Sequence, residues 1–273
     1  MKLIRSEVFE GVEILTVGQH QISEPKLTVN LFLIDGLLID TGPTRMYKEV
    51  LHALEAKFIN KIFVTHHHED HTGNVANLSA YFKCPTYSSA SCAEMMKRPP
   101  KISFAQYMTW GNRPPFHDLK GIDTLSTDRY KFQLIPIPGH ALDMVALYEP
   151  HQKWLFSADL YVHHYISYFL FSESIKRQIA SLERVLQLEF ETVFCSHIRP
   201  MKDGHKKLSK KLKFLRSFDE QVREQAAKGY SAQKIMKVLG LKERWDIRIF
   251  SHGMLSKLNM VKSVLNDLKL ENT

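Results

Sequence analysis

The chain has 273 residues, 44% of them hydrophobic and 24% charged, enough apolar material for one large core or one core with a small appendage. No apolar run approaches the ~18 residues of a membrane span, and Arg5 and Glu7 stand where a secretory leader would need its apolar stretch, so a soluble, cytoplasmic protein with no membrane partner is expected. Cys84, Cys92 and Cys195 form no CxxC pair, which argues against a cysteine zinc finger or a disulfide framework, and a net charge of +8 is too modest to point to nucleic acid by itself.

In chain order, Val12–Val17 and Thr28–Ile34 read as strands, and Asp35-Gly36 ahead of Leu37–Asp40 is a hairpin signal between apolar runs. Val50, Leu51, Leu54 and Phe58 recur at helical spacing, so Tyr47–Phe58 is predicted as an amphipathic helix leading into a strand over Lys61–Val64. Gly73–Phe82 suits a helix, Pro85–Ser88 a strand and Ser91–Lys97 a short helix, the alternation of an α/β domain. Pro99-Pro100 and Pro114-Pro115 bracket a segment bearing Phe104, Tyr107, Trp110 and Phe116, which reads as an excursion from the core. Strands resume over Phe132–Ile137, Met144–Leu147 and Trp154–Phe156, followed by a helix over Ser174–Leu188 and a last strand over Thr192–Cys195. Beyond His205 the β signal disappears. Leu208, Leu212, Leu215, Phe218 and Val222 form one helical stripe, Ser231–Leu239 a second helix stopped by Gly240, and Met254–Leu268 a third. The chain therefore divides into residues 1–204, which hold the strands, and a helical subdomain over 205–273.

Four of the 14 histidines, His66, His67, His68 and His71, fall together with Glu69 and Asp70 directly after a predicted strand. Residues at i and i+2 of a strand share a side, and a following turn redirects the next two. Imidazole and carboxylate are zinc ligands at ~2.0–2.2 Å, and the spacing is not the HExxH of a helical zinc protease. It resembles the HxHxDH signature of the metallo-β-lactamase superfamily. The rest of that pattern follows in order: Pro138-Gly139-His140, Ser157-Ala158-Asp159 and Ser196-His197, each at the end of a predicted strand.

The resemblance covers about residues 10–200 and implies an α/β fold, a four-layer αββα sandwich, here with a small C-terminal helical subdomain. It implies that His66, His68 and His140 hold one metal, that Asp70, His71 and His197 hold a second, and that Asp159 bridges them. Asp40 in Ile39-Asp40-Thr41-Gly42 matches an early strand-end Asp that orients a ligand imidazole. Any one of these residues taken alone reads more simply as structural. All seven ligands in family order carry the assignment, whereas His67 and Glu69 read as exposed bystanders.

The implied cofactor is Zn2+, two per chain, with Fe or Mn as alternative occupants. Two cations ~3.5–4 Å apart can share a hydroxide that attacks a carbonyl. Asp70 is expected to orient that hydroxide. Tyr161, close after the bridging Asp, is expected to donate a proton or hydrogen bond, ahead of His163 and His164. The antibiotic-hydrolysing lactamases with a thiol ligand have Cys where this chain has Asp159. Glyoxalase II-type thioesterases, lactonases and RNA-processing nucleases share the Asp. A binuclear zinc hydrolase of a thioester, lactone or other acyl ester is therefore expected, with a metal-dependent endoribonuclease or phosphodiesterase as the alternative. An iron-dependent, persulfide dioxygenase-like enzyme also stays open, although di-iron oxygen reductases carry Glu where this chain has His68.

Phe104, Tyr107 and Trp110, and then Tyr161, Tyr165, Tyr168, Phe169 and Phe171, are candidate linings for a small-molecule pocket. Lys206, Lys210 and Lys213 share a helix face near Lys207, Lys211 and Arg216, a stripe that suits either RNA or plain solvent. A non-catalytic scaffold built on this fold would have shed ligands, and none is missing.

Overall fold

The computed structural model describes residues 2–19, 28–100 and 102–271. β1 (Lys2–Phe9), β2 (Val12–Gln19), β3 (Thr28–Ile34) and β4 (Leu37–Ile39) form an antiparallel meander. After α1 (Tyr47–Leu54) the same sheet grows in parallel through β5 (Lys61–Phe63). It continues past α2 (Glu69–Thr72) and α3 (Val75–Phe82) to β6 (Thr86–Ser88), then past α4 (Ala90–Met96) and α5 (Phe104–Trp110) to β7 (Leu119–Gly121). A second sheet takes β8 (Thr124–Ser126), β9 (Lys131–Pro136), β10 (Val145–Glu149) and β11 (Trp154–Ala158). β12 (Phe169–Leu170) lies apart from it, and after α6 (Ile175–Val185) the last strand of that sheet, β13 (Thr192–Cys195), runs parallel to β11. The helical end comprises α7 (Gly204–Ala227), α8 (Ala232–Val238), α9 (Trp245–Phe250) and α10 (Lys257–Glu271), with β14 (Leu255–Ser256) pairing back onto β12. No helix among the described residues is long and apolar enough to cross a membrane.

The two larger sheets face each other across a buried aromatic layer. Phe156 and Phe194 stack at 4.5 Å, and Phe32 of the first sheet sets its edge against them at 5.4 and 5.7 Å. Such pairs add ~0.5–1.5 kcal/mol each beyond the burial itself. On the outer face of the first sheet, Val50 and Leu54 of α1, Leu78 of α3 and Met96 of α4 cover Leu31, Leu38 and Ile62. On the outer face of the second, α6, α7, α8 and α10 form one continuous core with Ala146, Tyr148 and Leu155. Helix, sheet, sheet and helix thus make four layers.

Some expected elements differ. α1 stops at Leu54, and Phe58 lies across Gly36 of the hairpin with most of its ring in solvent. The proline-bracketed insert contains a helix of its own, α5, started by a reciprocal Ser103–Gln106 capping box. β1 escapes a search for apolar periodicity because Lys2, Arg5 and Glu7 interrupt it, as charges commonly do on edge strands.

The strands β4, β5, β9, β11 and β13 point the same way within their sheets, and the candidate ligands follow their C-terminal ends. At two of these ends a non-glycine residue adopts positive φ, Asp40 at 61° and Ala158 at 45°. Such conformations cost ~1–2 kcal/mol each and turn the chain sharply off the sheet toward the ligand loops. Two glycines nearby are fixed by the space around them, Gly139 by its backbone angle as well. A Cβ on Gly73 would lie 2.3 Å from Thr44 N, and one on Gly139, at φ 148°, would lie 2.7 Å from Gln178 N. Gly73→Ala is expected to destabilise the chain by about 2–3 kcal/mol, read as a fall of roughly 4–12 °C in Tm. An unchanged melting curve would show that residue 73 has room for a methyl group.

Candidate metal centre

β5 ends in Phe63, and the extended chain after it carries His66 and His68 before the single turn of α2 redirects Asp70 and His71. That turn is anchored by His68 O, which accepts from His71 N at 3.1 Å and Thr72 N at 3.0 Å. Asp40 pins the segment from the neighbouring strand. Its Oδ1 accepts from Thr65 N at 2.8 Å, and its Oδ2 accepts from Thr65 Oγ1 at 3.0 Å and faces His71 Nδ1 at 2.7 Å.

Three overlapping groups result: His66, His68 and His140; His66, His71 and Asp159; and Asp70, His71 and His197. In each, one ligand atom per residue lies within 4.8 Å of the others. Asp159 stands between the two outer groups. Its Oδ2 is 3.2 Å from both His140 Nε2 and His197 Nε2, and its Oδ1 is 3.4 Å from His71 Nε2. Asp70 Oδ2 is 3.6 Å from both His71 Nε2 and His197 Nε2, and His68 Nδ1 faces His140 Nε2 at 3.0 Å.

The outer hydrogen bonds decide which nitrogen each ring presents. His71 Nδ1 donates to Asp40, His197 Nδ1 donates to Thr28 O at 2.5 Å, and His66 Nδ1 donates to Thr65 Oγ1 at 3.1 Å, so the Nε2 atoms turn inward. His66 Nε2, His71 Nε2 and Asp159 Oδ1 are buried with no hydrogen-bond partner. Orphaned polar atoms of this kind are costly unless a ligand completes them. Imidazole nitrogens and carboxylate oxygens are what a zinc-like divalent cation takes, so the residues present fit a metal.

The charge state agrees with that purpose. Burial, then neighbouring His71, hold His66 well below the usual imidazole range, and burial with His140 does the same to His68, leaving both as neutral donors. Burial also opposes charge on His71, but Asp70, Asp159 and Asp40 outweigh it and raise the ring well above its ordinary value. His197 is likewise raised to about 9 against its burial, chiefly by Asp159. Burial alone would raise Asp159, yet His197 and His71 keep its carboxyl well below the usual range. Without cations, protons on His71 and His197 balance the carboxylates.

The structure thus brings His66, His68, Asp70, His71, His140, Asp159 and His197 into one cluster, with Asp40 behind it. It does not bring Tyr161 there. That ring is buried in the outer core of the second sheet, and the ionisable groups acting on its hydroxyl are Cys195 and Asp203. His163 and His164 lie exposed, their tilted rings 4.1 Å apart. The two expected bystanders have partners. His67 gives its backbone N–H and ring Nδ1 to the buried carboxylate of Asp143, both at 2.8 Å, and Glu69 is buried, its acidity weakened to about 7 by burial and then by Asp70. In the lysine stripe, Lys206, Lys210 and Lys213 are exposed, while Lys207 pairs with Asp203 and Arg216 with Glu183. Lys211 is buried and donates to Leu160 O at 2.7 Å, right after Asp159. Glu173, unremarkable in sequence, comes within 3.6 Å of His140 Nδ1.

This architecture is that of a family that the sequence itself matches. A family model described as the metallo-beta-lactamase superfamily matches residues 25–197, and the chain belongs to that superfamily. Among curated relatives, a hydroxyacylglutathione hydrolase from Bdellovibrio bacteriovorus is 31% identical over 137 residues, 50% of this chain and 48% of that protein. Another, from Idiomarina loihiensis, is 28% identical over 170 residues, 59% of this chain and 55% of that protein. The chain thus spans about half the length of these relatives. A metallo-beta-lactamase family protein from Thermus thermophilus shares the fold at a TM-score of 0.70 and 19% identity, over 97% of this chain and 95% of that one.

Two expectations follow. The raised His197 stabilises the metal-free chain fully below its unfolded value of ~6.5, and that stabilisation is lost as pH rises through about 9. Cations must displace the same protons, so their stabilisation grows over this window. The gap in Tm between zinc-loaded and chelator-treated protein should widen from pH 6.5 to pH 9, and a narrowing gap contradicts the cluster's charge balance. Asp40→Asn should weaken zinc affinity by roughly 10–100-fold in a competition titration against a chromophoric chelator. Unaltered affinity would remove Asp40 from its supporting position.

Proposed function

We propose that the chain is a binuclear zinc hydrolase of acyl compounds, with thioesters and other acyl esters as its substrates. The observation that carries this reading is the pair of donor groups sharing Asp159, with three of the inward-facing donor atoms otherwise orphaned. His66, His68 and His140 would hold one ion, Asp70, His71 and His197 the other, and Asp159 would touch both. When bound, such a pair supplies a water acidified to near neutrality and a Lewis acid for the carbonyl oxygen.

The chain's own side chains do the rest. Asp40 and Thr28 O keep His71 and His197 oriented through their Nδ1 protons. Asp70 Oδ2, facing the same two rings from the other side, orients the attacking water. In the reaction the water oxygen bonds to the carbonyl carbon, the bond from carbon to the sulfur or oxygen of the leaving group breaks, and that atom takes up the proton. No cysteine serves as nucleophile: Cys195, the one nearest the site in sequence, is buried, and burial pushes its thiol up to about 12. The hydroxyacylglutathione hydrolases among the relatives, thioester hydrolases by name, support carbonyl over phosphodiester chemistry.

Elemental analysis of the purified chain is expected to give about two zinc ions, with activity on thioesters that a chelator removes and zinc restores. Asp159→Ala should lose both metal and turnover while keeping the far-ultraviolet circular dichroism of the parent. Full activity in a metal-free preparation, or activity confined to phosphodiesters, would overturn the proposal.

A further inference from the structure

The first sheet ends in an open edge. β1 pairs with β2 from Lys2↔Gln19 to Phe9↔Val12, and among the described residues no strand pairs with its other side. At eight residues it is the longest free edge of the two larger sheets, since β7 and β8 have three residues each and Met201 bridges the outer side of β13. The turn at Glu10 and Gly11, with φ 51° and 81°, is the two-residue hairpin type that makes Phe9 and Val12 a hydrogen-bonded pair. Counting back from Phe9, residues 7 and 5 also turn their peptide groups toward β2. Ile4, Ser6 and Val8 therefore point theirs outward, as an unfilled ladder.

The side chains along this edge are complementary to themselves. On one face, Ile4 and Val8 are 40% and 70% exposed. On the other, Arg5 lies 3.7 Å from Glu7, whose second oxygen meets Arg199 at 3.3 Å. When two copies of the strand run antiparallel about a twofold axis at Ser6, Ser6 faces Ser6, Ile4 faces Val8 and Arg5 faces Glu7. Ile4, Ser6 and Val8 then form the hydrogen-bonded pairs, and Arg5 and Glu7 the intervening pairs, with Cα atoms about 4.5 Å apart and side chains closest. A slip by two residues either way sets Arg5 against Arg5 or Glu7 against Glu7, and in-register parallel alignment does both. Charges on an edge strand ordinarily keep other strands away. This order of charges matches a second copy in a single register.

We infer that β1 is a homodimer interface, through which two copies of this chain join their first sheets by antiparallel pairing centred on Ser6. The backbone ladder supplies the attraction, burial of Ile4 against Val8 adds to it, and the two Arg5–Glu7 pairs set the register. A twofold contact uses the same edge of both copies, so the assembly closes at two.

Sedimentation equilibrium of the full chain across the micromolar range is expected to show monomer and dimer and nothing larger. Arg5→Glu and Glu7→Arg should each weaken the dimer by about tenfold or more, because both pairs then oppose like charges. An equal mixture of these two variants should form a heterodimer, since each supplies the charges that the other lacks. Their circular dichroism and Tm, matching those of the parent, separate a lost interface from a lost fold. Ser6→Cys should give an intermolecular disulfide with diamide, above the background set by half-buried Cys84, because the central Cα atoms stand about 5.5 Å apart. Val8→Cys, which faces Ile4 of the other copy, should not. A monomer at every concentration overturns the inference and leaves the charges of β1 as guards against pairing. A dimer indifferent to both charge reversals, or cross-linking at residue 8 but not at residue 6, overturns it as well.

Discussion

The structure is organised around mutual repulsion. Five imidazoles and the carboxylates of Asp70 and Asp159 turn their lone pairs toward one shared space, and three of these atoms have no partner. Such an arrangement is stable only if protons or cations sit among the donors and if the surrounding chain resists the tendency of the donors to move apart. Asp40 meets the second condition. Fully buried, it binds the strand that precedes the ligand run and the ring of His71 at once, and its own backbone is held in a left-handed conformation to do so. Asp143 does similar work for the other side, joining the segment after His140 to the backbone and ring of His67.

The clustered donor residues were legible because their chemistry and their order along the chain are both unusual, and because they follow runs of apolar residues that read as strands. The supporting groups were less so. Glu173, Asp143 and Lys211 are ordinary charged residues in sequence, and their significance comes from which strand or helix packs beside them. Lys211 falls in a basic run that looks solvated until α7 is laid against the second sheet, which turns that one lysine inward to Leu160 O while its neighbours stay outside. Tyr161 misled for a related reason. Proximity in sequence to Asp159 says nothing about direction, and after the left-handed residue Ala158 the chain turns so that the phenol enters the core. Short strands such as β12 and β14 are set by partners far away in the chain, so no local pattern announces them.

The C-terminal helices contribute more than bulk. α7 and α10 close the outer face of the second sheet with α6, and they share its apolar core. Ser263 on α10 accepts from Ile175 N and donates to Glu173 O, which fixes the start of α6 and the residue beside His140. The helical end therefore supports the same loops that hold the donors. Burial lowers Lys211 to about 8, and its ammonium remains in place because Leu160 O and the nearby Glu173 and Asp159 offset the loss of hydration.

The common direction of β4, β5, β9, β11 and β13 separates two kinds of freedom in this molecule. The loops beyond the C-terminal strand ends carry the donor residues, and the 162–171 segment among them also sends Phe169 into the core on the outer face of the second sheet. A lineage that keeps the sandwich can vary the exposed side chains of α5 and α9, Phe104 and Trp245 among them, more freely than the buried Phe169 between β11 and α6. The opposite edge, with its tight turns at Gly11 and Gly36, takes no part in that drift, and it is where inserted sequence would leave chemistry untouched.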